Sequence, residues 1–296
     1  MEKAVQKTGE KKASKLGMTT VLRMRRFCVY LILIFLTLLC LFPIWTLLVN
    51  MTRSNGQIST SFSLWFGTSL IDNFKAVFGD SHLPVLSALG NSAIVAVLSS
   101  VLCVYFSALT AYAIQVYDFK FKDLIFKFIL VIMMIPTTIS GVGLARMLTE
   151  WGQTNMLWPL IIPSIASPVT FFYMKQYMES VLPLEMIEAA RVDGANEFRI
   201  FNTMCLPIIK PALAVQLIFA FVSSWNNFFI PALIISDNGK KTLPLIISAL
   251  KASDPSSFDL GKVYALIGFA IIPLVIVYLF LSRFIVAGMT EGSVKG

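Results

Sequence analysis

Residues 89–117 read LGNSAIVAVLSSVLCVYFSALTAYAIQVY, 29 consecutive positions without one Asp, Glu, Lys or Arg. In a helix, about 20 such residues cross the roughly 30 Å hydrocarbon core of a bilayer, because each residue adds about 1.5 Å of rise. A helix also satisfies its backbone hydrogen bonds internally, as a segment surrounded by lipid must. Working outward, blocks of the same character occupy 27–50 on one side and 126–145, 157–178, 212–235 and 263–286 on the other. The pattern predicts an all-α, polytopic helical membrane protein with six transmembrane helices. Composition agrees, since 57% of the 296 residues are hydrophobic and 14% charged, against about 25% charged in soluble domains.

The blocks divide the chain into a basic segment 1–26, a transmembrane domain 27–286 and a short ending 287–296. Between Met1 and Met24 stand five Lys and one Arg among polar residues, too hydrophilic to bury a core, so a flexible cytoplasmic tail is predicted. The block 27–50 is longer than the apolar region of a cleaved signal and no A-x-A-like site follows it, which predicts a retained first helix. Pro136, Pro163, Pro168 and Pro273 are positions where helices kink or break. Six spans put both ends on one side. If that side is the cytoplasm it holds 17 of the 24 Lys and Arg, and basic loops stay inside, so both termini are predicted cytoplasmic.

The net charge of +8 would raise the question of nucleic acid in a soluble protein. Here the basic residues sit at block ends, where they meet anionic lipid and fix topology, so no nucleic-acid partner is expected. Cys28, Cys40, Cys103 and Cys205 form neither a CxxC pair nor a zinc spacing. His82 is the only histidine and reads as a loop residue, which leaves no HExxH zinc site. No catalytic, cofactor or metal residue is predicted.

Between the fourth and fifth blocks lies a segment unlike a simple connector, 184–207, LEMIEAARVDGANEFRIFNTMCLP. Pro183 can open a helix, Glu185 and Glu188 suit its positive end, and Gly194 can adopt the left-handed turn that closes it. Asn196 then offers an N-cap to a second short helix before Pro207. Ala189 and Ala190 would let another backbone approach, while Glu188 and Asp193 offer charge to a basic partner. Phe198, Phe201 and Cys205 form an apolar stripe at helical spacing. A helical knob entering a partner's groove is a recurring recognition mode. The bland alternative is a hairpin lying on the lipid surface, but such helices favour Lys and Arg, and this one has two Arg against four acidic residues.

At these residues the chain resembles the binding-protein-dependent inner-membrane components of ABC importers, whose signature loop reads EAA, three residues, G, nine residues, I, one residue, LP. Glu188-Ala189-Ala190, Gly194 and Leu206-Pro207 fit at that spacing, and Met204 stands for the Ile. Trp225-Asn226-Asn227-Phe228, Thr242-Leu243-Pro244 and the ending Gly288-Met289-Thr290-Glu291-Gly292-Ser293-Val294-Lys295-Gly296 resemble the carbohydrate-type branch. Within that branch the likeness is to the maltose-type permease subunit with a short cytoplasmic C-terminal tail. The resemblance implies a multi-pass subunit of a bacterial cytoplasmic membrane importing a sugar or oligosaccharide. It implies that the loop docks in a cleft of a cytoplasmic ATPase dimer, Glu188 pairing with a basic residue there. A second homologous permease and an extracytoplasmic substrate-binding protein complete the implied assembly. ATP and magnesium would sit on the ATPase, in keeping with the absence of a G-x-x-x-x-G-K-[ST] loop here.

A path for a polar solute needs hydrogen-bonding groups within the spans. Gln216, Ser223 and Asn227 fall within about 20° of one face at 100° per residue and are the candidate translocation path. Thr137, Thr138, Ser140, Ser164 and Ser167 could face the same cavity, although Ser and Thr more often bind helix to helix in membranes. An importer for another polar solute is the alternative reading. A secondary transporter would carry ionisable groups deep in the spans, and an intramembrane enzyme a catalytic set; neither is found.

Overall fold

The first apolar block lies inside one 50-residue helix, α1 (Glu2–Met51), which runs through Pro43 without interruption. In this computed structural model the backbone is described for residues 2–81, 83–251 and 258–293, and side chains within those limits except at 2–22 and 285–293. The basic segment expected as a flexible tail is therefore helical from Glu2 onward. Its residues 2–22 contain no proline and many Lys, Ala, Glu, Gln, Met and Leu, all good helix formers, so nothing local stops the helix before the apolar block. His82 and residues 294–296 of the family-like ending lie outside the described residues.

Two short helices follow, α2 (Asn55–Thr60) and α3 (Leu70–Phe78). Ser54 and Gln57 close a capping box on α2. The quoted stretch forms α4 (Val85–Val116), the centre of the fold. Its buried positions include Ala88, Ser92, Ala96, Ser99, Ser100, Cys103, Ser107, Ala108 and Ala111. Small side chains let neighbouring backbones come close where no hydrophobic effect drives helices together.

The third block becomes α5 (Lys122–Ile132) and α6 (Thr137–Glu150), bent by 89°. Pro136 explains the break, since it has no N–H for α5 and holds the preceding residue out of the helical region. The fourth block is more fragmented: α7 (Trp158–Ile161), a 3-10 turn over Ile162–Ile165, and α8 (Pro168–Val181). Pro159 and Pro163 shorten the first piece, and Pro168 opens α8 behind the N-cap Ser167.

Beyond it come α9 (Leu184–Val192), α10 (Glu197–Ile200), a π-helical turn over Phe201–Cys205 and α11 (Leu206–Ile208). The fifth block splits into α12 (Lys210–Trp225) and α13 (Phe229–Ile234). Pro231 accounts for the step, because a continuous helix would drive its ring against the carbonyl of Asn227. Finally α14 (Leu243–Lys251) precedes α15 (Leu260–Ser293), which continues through Pro273 and past the expected span end at 286.

Every regular element among the described residues is a helix. Four segments are long and apolar enough to cross a membrane: Arg23–Met51, Val85–Val116, Lys210–Ile234 and Leu260–Phe284. Counting the bent α5–α6 pair as one crossing makes five. The predicted fourth block is not among them, because its prolines leave no single long helix.

α4 packs against α12 and α8, and α12 against α15, while α1 touches the bundle chiefly through α15. Phe35 and Leu38 of α1 are 61% and 63% exposed, the surface expected of a helix bathed in lipid. Ser99 Oγ donates to the Leu160 carbonyl at 3.1 Å, and Ser164 Oγ donates to the carbonyls of Ile161 and Ser99. Such bonds average about 0.6 kcal/mol in membranes, so they set register more than stability.

Candidate functional site

The segment between α8 and α12 forms the predicted two-helix loop. Pro183 is the residue immediately before α9, and Glu185 lies in the first turn. At the other end of α9, Gly194 takes φ +77°. Its N–H donates to the Arg191 carbonyl and that of Ala195 to the Ala190 carbonyl, both at 3.0 Å. These are the two bonds of a Schellman motif, and the positive φ is the reason for glycine. Asn196 then caps α10, its Oδ1 accepting from the Arg199 N–H at 2.8 Å.

Glu188, Ala189, Asp193, Gly194 and Pro207 are exposed, whereas Ala190 is buried and Leu206 half-buried. The supposed stripe divides in two. Phe198 is 68% exposed, but Phe201 and Cys205 are fully buried against α4 and α8. The four-residue α10 and the π-helical turn after it change the register, so one helical face does not run from Phe198 to Cys205. The outward surface is completed by Val192, 89% exposed. The sequence offers its apolar side chain on a polar turn as the one signal for this residue.

The inner face is a packed junction. Ile187, Ala190, Ile200, Phe201, Cys205 and Ile209 join one apolar cluster with the end of α4 and with Phe171, Met174 and Met178 of α8. Burial pushes the Cys205 thiol up to about 12, so it stays an inert core group. The polar groups at the rim belong to Arg191 and Glu197, whose Nε and Oε1 stand 2.6 Å apart. The Tyr112 hydroxyl donates to the other carboxylate oxygen at 2.8 Å. The Arg191 guanidinium lies 5.2 Å from the centre of the Tyr117 ring. Its hydrogen bond is the largest influence holding the Glu197 carboxyl down at about 2, against some desolvation. Sequence reading passed over this cluster, because Tyr112 and Glu197 are 85 positions apart.

The polar residues suggested for a path differ in burial. Gln216 is buried, Ser223 is exposed on α12, and Asn227 lies half-buried in the step before α13. Asn227 Oδ1 accepts from the Ile230 N–H at 3.4 Å. Thr137, Thr138 and Ser140 are exposed on α6. Ser164 and Ser167 have structural tasks, the first bonded to α4 and the second capping α8. Among the described residues no group of His, Cys, Asp and Glu could hold a metal ion.

Long apolar helices around α4, with a firmly seated two-helix knob left uncovered at one end, define a helical membrane protein. Over residues 103–291 the chain matches the family described as binding-protein-dependent transport system inner membrane component. It belongs to that family. An arabinooligosaccharides transport system permease protein of Halalkalibacterium halodurans is 32% identical over 88% of this chain and 94% of its own. A trehalose/maltose transport system permease protein of Thermococcus litoralis is 32% identical over 89% and 94%. An sn-glycerol-3-phosphate transport system permease protein of Salmonella typhi is 29% identical over 85% and 91%. The fold is shared with a bacterial ABC transporter involved in the import of the acidic polysaccharide alginate. That chain is 21% identical, with a TM-score of 0.76 over 88% of this chain and 96% of that one.

Proposed function

We propose that this chain is a permease subunit of an ATP-driven importer, carrying a sugar or oligosaccharide handed over by an external binding protein. The observation that carries the reading is the exposed face of α9 and its Gly194 turn, seated on α4 in a chain of this family. Glu188 and Ala189 stand outward there, as a surface entering a cleft of a cytoplasmic ATPase dimer requires. A second homologous permease faces this chain across the path. ATP and magnesium belong to the ATPase, and this chain performs no chemistry of its own.

In this reading the bent α5–α6 pair is one crossing and the broken α7–α8 segment another, making six, with both ends and the knob in the cytoplasm of a bacterial cell. Broken helices are tolerated at membrane depth where protein or a watery cavity surrounds them. Gln216, Ser223 and Asn227 contribute to the path. The glycerol-3-phosphate relative supports a second reading, an importer for another polar solute.

The test is uptake of labelled oligosaccharides into proteoliposomes holding this chain, its second permease and the ATPase. Transport requiring ATP and the binding protein supports the proposal, and a phosphorylated polyol as the preferred cargo selects the second reading. Transport that persists with an ATPase-dead partner and follows an ion gradient would overturn both.

A further inference from the structure

The Gly194 turn poses a mechanical problem. A Cβ built there meets nothing within 4 Å, so the outer side of the turn is unbraced, and only the apolar contacts on the inner face of α9 and α10 and their polar ties resist a pivot. A knob that pivots would absorb displacement instead of passing it on. One carboxylate ties the two helices to each other and to α4. Glu197, the first residue of α10, accepts from Arg191 in the last turn of α9 at 2.6 Å and from Tyr112 of α4 at 2.8 Å. Three helices thus meet on one side chain, and Tyr112 is only 2% exposed one turn before the end of α4.

The surroundings stiffen the same joint. The Phe201 ring sits between Tyr105 and Tyr112, with centroids 5.7 and 5.3 Å away. The Tyr105 hydroxyl donates to Asn202 Oδ1 at 3.2 Å, a second tie from α4 to the turn after α10. From α4 the joint leads into α12 and α8, the helices packed against it.

We propose that Glu197, held between Arg191 and Tyr112, is a positioning residue for coupling: together with the apolar packing beneath it, it locks α9, α10 and α4 into one body, so that displacement of the docked knob reaches α4 instead of being lost at the Gly194 turn. The proposal rests on the reading of the knob as an ATPase-docking site.

The test uses the full assembly in proteoliposomes with Tyr112→Phe, Glu197→Gln and the exchange of Arg191→Glu with Glu197→Arg. Two quantities are read, ATPase retained on co-purification and solute transported per ATP hydrolysed. Both single variants are expected to retain the ATPase while the transport ratio falls roughly fivefold or more, the lower range of measured couplings between sites. The exchange, which restores the bridge with charges reversed, is expected to recover much of the ratio. A wild-type ratio in both single variants would overturn the proposal. So would loss of ATPase retention that the exchange does not recover, since the cluster would then merely shape the docking face. If the unaltered chain retained no ATPase, the docking reading itself would fall, and the joint with it.

Discussion

Asn155 Oδ1 accepts hydrogen bonds from the backbone N–H groups of Ser236 at 2.7 Å and Asp237 at 2.8 Å, fastening two loops to each other. Asn155 also takes φ +58°, a conformation that Asn tolerates better than most residues. From the other side, Asn91 Nδ2 donates to the carbonyls of Gly239 and Lys241. Asn155→Ala removes the acceptor, at a cost of about 1 kcal/mol or more, and loses the short polar side chain that lets Asn tolerate the left-handed region. Tryptic cleavage after Lys240 and Lys241 is expected to accelerate several-fold. Unchanged cleavage would mean that the Asn155 side chain does not hold the loop.

Gly194 separates conformational strain from crowding, because space is free but φ is +77°. Replacement by Asn should be milder than by Ala, and Val the most disruptive, with a local cost of about 1–2 kcal/mol for Ala. Gly194→Val is expected to insert and pair normally yet lose substrate-stimulated ATP hydrolysis. Glu188→Lys should do the same by setting like charge against a basic pocket. Full transport with wild-type coupling in both would remove the docking surface from the mechanism.

The Glu197 bridge has a defined pH window. Its carboxyl is held at about 2 in the folded protein against an ordinary 4.5, so the unfolded chain takes up the proton first. The stabilisation is therefore complete above about 4.5 and is lost as pH falls toward about 2. The melting temperature of the purified protein should fall more steeply on acidification for wild type than for Glu197→Gln. Parallel curves would show that the bridge contributes nothing.

Local chemistry made much of this molecule legible. The uncharged run of 89–117 announces α4, and Gly194 and Asn196 mark the turn and cap that the loop adopts. What stayed hidden depends on register and distance. Pro231 was the available signal for the step after Trp225, and without it the fifth block reads as one helix and its polar residues as one face. Phe198 and Phe201 look equivalent until the π-helical turn over Phe201–Cys205 sends one outward and the other into the core. Tyr112 meets Glu197 only through tertiary packing, which no local pattern encodes.

Topology is the next expected outcome, and it follows from the basic asymmetry of the loops. Lys120 and Lys210 should be labelled only from the cytoplasmic side. A cysteine replacing exposed Asn196 should be silent toward an impermeant reagent added outside intact cells. Reaction from outside would put the knob on the wrong side for an ATPase.

The path is tested where the fifth span changes course. α12 ends at Trp225, whose indole N–H donates to the Ala270 carbonyl at 3.1 Å while its ring stacks on Phe221. That anchors the step to α15, and Asn227 hangs in the irregular stretch beside it with its Oδ1 engaged by Ile230. A polar amide at a break in a membrane helix is costly unless protein or water satisfies it. Asn227→Ala should lower uptake modestly, and a bulky residue there should lower it further without loss of assembly. Cysteines at Ser223 and Asn227 should react with small polar reagents faster than one at Leu217. Gln216, buried as it is, should react only when ATP and substrate cycle the transporter. Equal protection on all faces, with or without cycling, would reject a water-lined route along α12.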